Sequence, residues 1–80
     1  MTTASDVAIR GPFAYLAAGS SGFRVVDFTV PSNPRIVAEI PMFVRGIALS
    51  ADGKWAFVAA GQEGLKVIDI QVATAPIVRA

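Results

Sequence analysis

The chain has 80 residues, a net charge of +1 and neither cysteine nor histidine, which excludes disulfides and imidazole chemistry and argues against a structural zinc site. Its seven basic and six acidic residues are interspersed, so no basic patch predicts nucleic-acid binding. Hydrophobic residues make up 54% of the chain, yet no run approaches the ~18 apolar residues of a membrane-spanning helix. This excess of hydrophobic residues predicts that part of the surface is buried against another molecule, and other copies of the chain are the favoured candidate.

The first half of the chain contains four short apolar runs separated by turn signals. In chain order, the runs are Val7-Ala8-Ile9, Phe13 to Ala18, Phe23 to Phe28 and Arg35 to Ile40. The signals between them are Gly11-Pro12, Gly19-Ser20-Ser21-Gly22 and Ser32-Asn33-Pro34. Runs of this length and composition predict antiparallel strands, since glycine or proline interrupts each one before a helix of about three turns could form.

The second half repeats this order with a period of roughly 42 residues, which is typical of propellers and other repeat arrays. Its runs are Ile47-Ala48-Leu49, Trp55 to Ala60, Leu65 to Ile70 and Pro76 to Arg79. Asp52-Gly53 predicts a type I′ hairpin turn, in a connection two residues longer than its counterpart around Gly11-Pro12. Insertions confined to a turn are what stacked sheets permit.

The strands are apolar on both sides. Side chains alternate along a strand, so Phe13, Tyr15 and Ala17 face one way, and Ala14, Leu16 and Ala18 face the other. A sheet with one wet face would alternate apolar with polar residues instead. The pattern predicts sheets that are covered on both faces, as in a β-propeller.

The third run of each copy carries a recognisable motif. Phe23-Arg24-Val25-Val26-Asp27 and Leu65-Lys66-Val67-Ile68-Asp69 resemble the LVIVD repeat, and the resemblance covers nearly the whole chain as two consecutive units. It implies a β-propeller fold and, from the family's members, a cell-surface or secreted parent protein. Thr29-Val30-Pro31 and Gln71-Val72-Ala73 depart from the family's Ser-Asp-Pro-like turn, so those connections are open to a different shape. The resemblance supplies no catalytic residue.

We therefore expect an all-β chain of two four-stranded antiparallel β-propeller blades, residues 1–42 and 43–80, each complete within one chain. Propellers close with about four to eight blades, so copies are expected to complete the ring by head-to-tail contacts. A homotrimer with six blades and a homotetramer with eight stay equally open. No nucleic-acid or membrane partner is expected. The sequence shows no signal peptide or transmembrane segment, and it does not identify the cellular compartment.

Several residues have both a chemical and a structural interpretation. Asp27 and Asp69 suit a metal or acid–base site, but hydrogen bonds to the following turn are the favoured interpretation. The Gly-x-x-Gly segments resemble phosphate loops but lack the Lys-Ser/Thr and the helix that a P-loop needs. Tyr15 and Trp55 suit ligand stacking, although core packing is favoured for both.

Arg45 is the one speculative binding residue. It precedes the predicted innermost strand of the second blade, where the first blade has Ser5. In a closed ring one arginine per chain would recur near the channel mouth and suit an anion, and the alternative is a solvated side chain beside a loop.

The leading hypothesis is a self-assembling two-blade propeller fragment with a structural role, no catalysis, no metal and no cofactor. The alternative is a propeller module that binds a ligand or protein through its channel mouth or loops. An enzyme is not expected, because there is no histidine, no cysteine and no recurring carboxylate pair.

Overall fold

A computed structural model describes residues 5–80 as two four-stranded antiparallel sheets, in which strands adjacent in sequence are adjacent in space. The first sheet comprises β1 (Asp6–Arg10), β2 (Phe13–Ala17), β3 (Phe23–Asp27) and β4 (Arg35–Ile40). The second comprises β5 (Gly46–Leu49), β6 (Trp55–Ala59), β7 (Leu65–Asp69) and β8 (Ile77–Val78). The predicted all-β class, the antiparallel pairing and the eight runs are confirmed. Residues 5–80 include no helix that is long and apolar enough to cross a membrane.

The β5–β6 hairpin closes differently from the prediction. A type I′ turn needs positive φ at both central residues, but Gly53 has φ 73° and no described non-glycine residue has a positive φ. The Gly53 amide donates to the Ser50 carbonyl at 3.0 Å, and the Asp52 carboxylate accepts from the Lys54 amide at 3.0 Å. Asp52 therefore lacks the positive φ that a type I′ turn requires, and the predicted turn type is wrong.

The two sheets pack face to face through one continuous hydrophobic core. Strand β5 lies against β1 and β2, which brings the first strands of the two sheets together. Tyr15 and Phe23 from the first sheet stack with ring centroids 6.2 Å apart, and Val58 and Ile68 from the second complete the core. None of these four side chains is more than 3% exposed.

The segment between the sheets is itself part of this packing. Val44, which leads into β5, is fully buried and pairs with Gly19, which follows β2. The Gly19 amide donates to the Val44 carbonyl at 2.9 Å, and the Val44 amide donates back at 3.2 Å. Backbone hydrogen bonds therefore join the sheets in addition to side-chain contacts.

Candidate functional site: the free faces of the two sheets

Each sheet has one face packed on the other sheet and one free face. In the first sheet the packed face carries Tyr15, Ala17, Phe23 and Val25, and none of them is more than 3% exposed. The strand register places these four residues on one side, since Tyr15 pairs with Val25 and Ala17 with Phe23. This packed face is the side that meets β5.

The free face of the second sheet carries the repeat equivalents of those four buried residues. In the same order the equivalents are Phe57, Ala59, Leu65 and Val67, and their register is the same. Here Leu65 is 65% exposed and Phe57 is 37% exposed. The side chains that form the core in the first sheet therefore lie at the surface in the second.

The free face of the first sheet mirrors the packed face of the second. Its members are Val7, Ile9, Ala14, Leu16 and Val26, the repeat equivalents of Ile47, Leu49, Ala56, Val58 and Ile68. Val7 is 50% exposed and Ile9 is 63% exposed, whereas Val58 and Ile68 are fully buried. The two free faces therefore carry the repeat equivalents of the two packed faces that contact each other inside the chain.

Two polar interactions join the sheets inside the chain and have no counterpart on the free faces. The Asp6 carboxylate accepts from the Val7 amide at 2.9 Å and from the Ile47 amide at 3.0 Å, which ties β1 to β5. The Arg10 guanidinium donates to the Ala51 carbonyl at 3.3 Å, in the longer hairpin.

On the free face of the second sheet the equivalents of Asp6 and Arg10 are Gly46 and Ser50. The prediction had not singled out either contact. The sequence signal for these two interactions is the mismatch between the repeats at these positions. A polar residue that is present in only one repeat can form its interaction at only one sheet face.

Arg45 is exposed and lines a cavity of about 640 Å³ at one end of the second sheet's free face. The other residues around the cavity are Phe43, Ala60, Gly61, Gln62 and Glu63. The Glu63 carboxylate in this wall is paired with the Lys66 ammonium at 3.2 Å, which partly offsets its negative charge. The site can therefore offer the Arg45 guanidinium to an anion, next to a carboxylate that is already paired with a lysine.

Asp27 and Asp69 serve the turns that follow β3 and β7. The Thr29 amide donates to the Asp27 carboxylate at 2.8 Å, and the Gln71 amide donates to Asp69 at 3.0 Å. The Thr29 hydroxyl, with its amide, lowers the pKa of Asp27. The Gln71 amide is the main cause that lowers the pKa of Asp69. The favoured turn interpretation is confirmed for both residues.

The structure places the remaining candidate residues in the fold without joining them into one site. Tyr15 lies in the core as predicted, and burial raises the pKa of its hydroxyl. Trp55 is half-buried at the start of β6, on the free face of the second sheet and outside the core, so the favoured interpretation is wrong for it within the single chain. Both Gly-x-x-Gly segments form turns, the second as a single 3₁₀ turn at Gly61–Glu63. Within residues 5–80, no three acidic, histidine or cysteine side chains cluster closely enough to hold a metal ion.

Comparison with known families agrees with this repeat geometry. The family model named LVIVD repeat matches residues 2–40 and again residues 44–78, one match for each sheet. No curated protein and no solved structure matches the chain. Two consecutive matches span nearly all 80 residues, and the chain therefore belongs to the LVIVD-repeat family.

Proposed function

We propose that this chain is a self-assembling two-blade β-propeller module, which closes into a homo-oligomeric ring and has a structural role without catalysis. The observation that carries the proposal is the correspondence between the free and packed faces. The apolar positions of each free face correspond to apolar positions of a face that is buried inside the same chain, whereas the polar contacts of Asp6 and Arg10 have no counterpart. The free face of one copy therefore has a partner surface on the next copy.

The free faces are apolar enough to favour this contact in water. Ile9 and Leu65 are each more than 60% exposed, and both lie at strand positions whose equivalents are packed against the other sheet. Covering such contiguous apolar surface is favourable by roughly 25 cal/mol for each Å² removed from water. Large exposed apolar patches on small proteins are typical of interaction surfaces.

The predicted contact is head-to-tail, because the second sheet of one copy meets the first sheet of the next. Contacts of this type close into rings when the rotation at each step allows it. With two blades per chain, three chains give six blades and four chains give eight, and both totals lie within the range of about four to eight blades in known propellers. The proposal includes both ring sizes.

Native mass spectrometry of the unsubstituted chain and of two face variants tests the proposal. Ile9→Glu blocks the free face of the first sheet, and Leu65→Glu blocks that of the second. We expect the unsubstituted chain to have the mass of three or four copies and each variant alone to be monomeric, because a buried unpaired carboxylate is costly. An equal mixture should form a one-to-one heterodimer, because each variant keeps the face that the other needs.

The matched control is Val72→Glu, since Val72 is 60% exposed in a connection rather than on a sheet face. This variant should keep the mass of the unsubstituted chain. A stable monomer of the unsubstituted chain at micromolar concentration would contradict assembly. A ring without heterodimers in the Ile9→Glu and Leu65→Glu mixture would contradict the head-to-tail contact.

A second candidate function is anion binding at the channel mouth, favoured by the position of Arg45 beside a cavity. In a ring this guanidinium would recur once per chain and focus positive potential on a concave surface. Calorimetric titration with inorganic phosphate and sulfate tests it, with Arg45→Lys as the control that keeps the charge. Equal binding by the unsubstituted chain and the Arg45→Ala variant would exclude a role for this residue.

A further inference from the structure

The contact inside the chain contains a cleft at the hairpin end, where the β1–β2 and β5–β6 hairpins lie. Phe13 and Tyr15 of the first sheet and Ile70, which follows β7, line this cleft of about 400 Å³. Tyr15 is 3% exposed and Ile70 is 2% exposed, and Phe13 packs against the same core. The cleft therefore shows which side chains of two successive sheets meet at this end of a packed contact.

A cationic side chain and the longer hairpin line the same cleft. The Arg10 guanidinium donates to the Ala51 carbonyl at 3.3 Å, and a Cβ added at Gly53 would clash with that guanidinium. A head-to-tail contact between copies would lack both features. Ser50 stands at the position of Arg10, and the hairpin of the next copy that faces it is the shorter one, between β1 and β2. Space is therefore left at this end for other side chains.

The free faces carry aromatic residues at the positions that line the cleft. In the order Phe13, Tyr15, Ile70, the repeat equivalents are Trp55, Phe57 and Phe28. Two of the three are larger than their counterparts, since an indole replaces a phenyl ring and a phenyl ring replaces an aliphatic side chain. Trp55 and Phe28 are half-buried in the single chain, and Phe57 is 37% exposed.

Phe28 and Ile70 have the same position in the backbone of their sheets. The Phe28 amide donates to the Pro12 carbonyl at 2.8 Å, and the Ile70 amide donates to the Lys54 carbonyl at 2.9 Å. Pro12 and Lys54 are the residues immediately before β2 and β6. Strand alternation places Phe28 on the same side as Val26, which is the free face of the first sheet. Phe28 is therefore directed towards a neighbouring copy as Ile70 is directed towards the first sheet.

We propose that the Trp55 indole of one copy packs against the Phe28 ring of the next copy, at the hairpin end of the contact between copies. The inference rests on the proposed assembly and names the side chains that anchor it. The two larger rings occupy the space that Arg10 and the longer hairpin occupy inside the chain. Aromatic pairs are favourable beyond the area that they bury, and tryptophan is enriched among the residues that dominate interface energies.

The fluorescence of the unsubstituted chain tests this contact, because Trp55 is its single tryptophan. We expect the emission to shift to shorter wavelength, and acrylamide quenching to fall several-fold, as the protein concentration rises through assembly. An assembled ring in which acrylamide quenches Trp55 as efficiently as in the dilute monomer would overturn the inference and leave the assembly standing.

A double-mutant cycle identifies the partner of Trp55. It uses the heterodimer of the Ile9→Glu and Leu65→Glu chains, which has a single contact. Phe28→Ala is placed in the Leu65→Glu chain and Trp55→Ala in the Ile9→Glu chain, since these chains keep the faces concerned. Each substitution alone should weaken the heterodimer by about tenfold, as for a truncated aromatic anchor. The second substitution should cost much less once the first is present, because the two rings contact each other.

Val30→Ala in the Leu65→Glu chain provides the comparison for Phe28→Ala. Val30 lies two residues after Phe28, and its repeat equivalent Val72 stays 60% exposed beside the packed contact inside the chain. This variant should leave the heterodimer unchanged. Fully additive losses for Phe28→Ala and Trp55→Ala, or equal losses for Phe28→Ala and Val30→Ala, would overturn the aromatic pair alone. A chain that is monomeric at every concentration would overturn both the pair and the assembly.

Discussion

Individual side chains show which interactions are local and which depend on the pairing of sheets. Asp27 and Asp69 bond the residue two positions ahead, so their role follows from sequence neighbours and was predictable. Asp6 bonds the Ile47 amide, 41 residues away. Nothing local to Asp6 indicates that partner. Long-range polar contacts are visible only when the packing of the sheets is known.

At the scale of one residue, Thr29→Ala should raise the pKa of Asp27 towards the ordinary value of an aspartate. The Thr29 hydroxyl is the leading cause of the lowered pKa, and alanine removes it while keeping the amide. Thr29→Ser keeps the hydroxyl and should leave the pKa low. A carboxyl NMR titration of the three proteins measures the difference.

The sign of the accompanying pH effect follows from the direction of the shift. Because the folded pKa of Asp27 lies below its unfolded value, the ionised group stabilises the fold above the unfolded pKa. That contribution is lost as the pH falls through the folded pKa. Thr29→Ala should therefore flatten the acid side of the urea-unfolding profile. An unchanged profile together with an unchanged Asp27 pKa would show that the hydroxyl has no such role.

Among the structural elements, the strands were easier to predict than the connections. Short runs rich in valine, isoleucine and aromatic residues, bounded by glycine and proline, have few alternatives to a strand. The β5–β6 turn depended instead on a small network in which Asp52 accepts from the Ser50 hydroxyl at 2.6 Å and from the Lys54 amide. Such side-chain bonds select among turn types that share the same residues.

At the scale of the elements, Gly22→Ala should destabilise the fold more than Gly11→Ala. Both glycines have positive φ, so alanine is strained at either position. At Gly22, however, a new Cβ would clash with the backbone carbonyl oxygen of Ile40, whereas Gly11 has open space.

The Gly11→Ala variant, the matched control, should cost about 1–2 kcal/mol from backbone strain alone. Gly22→Ala should exceed that cost, because backbone atoms of β4 must move as well. Urea denaturation gives both free energies of unfolding. Equal losses would mean that the approach of the Ile40 carbonyl does not constrain the turn.

For the whole molecule, the apolar character of both strand faces predicted burial of both, but only one face of each sheet is covered within the chain, and the pattern did not identify which one. Tyr15 and Leu16 are neighbours on opposite faces, and both are hydrophobic. Only the packing of β5 on β1 and β2 distinguishes them. The position of the candidate interaction surfaces therefore required the structure, although their existence was predictable from the repeat.

At this scale, truncation of the equivalent residues Phe23 and Leu65 should have separable effects. Phe23 is fully buried within the chain, so Phe23→Ala should cost about 3–5 kcal/mol of folding free energy at any protein concentration. Leu65 is 65% exposed, so Leu65→Ala should leave that intrinsic stability nearly unchanged and weaken association.

Urea unfolding at two protein concentrations a hundredfold apart separates the two effects. For Leu65→Ala, the difference in unfolding midpoint between the two concentrations should shrink relative to the unsubstituted chain. For Phe23→Ala, both midpoints should fall together. If, at the low protein concentration, Leu65→Ala lowers the unfolding midpoint as much as Phe23→Ala does, Leu65 belongs to the core of the single chain.

The pairing of Val44 with Gly19 has a consequence for proteolysis. A protease needs several residues of extended, detached backbone. The segment between the two sheets, residues 41–45, supplies them only if the two sheets first separate. The connections after β3 and β7 are exposed and involve no such separation. The segment at the boundary between the two repeats is therefore expected to be among the last places cut, and nicking should begin within one sheet rather than between the two.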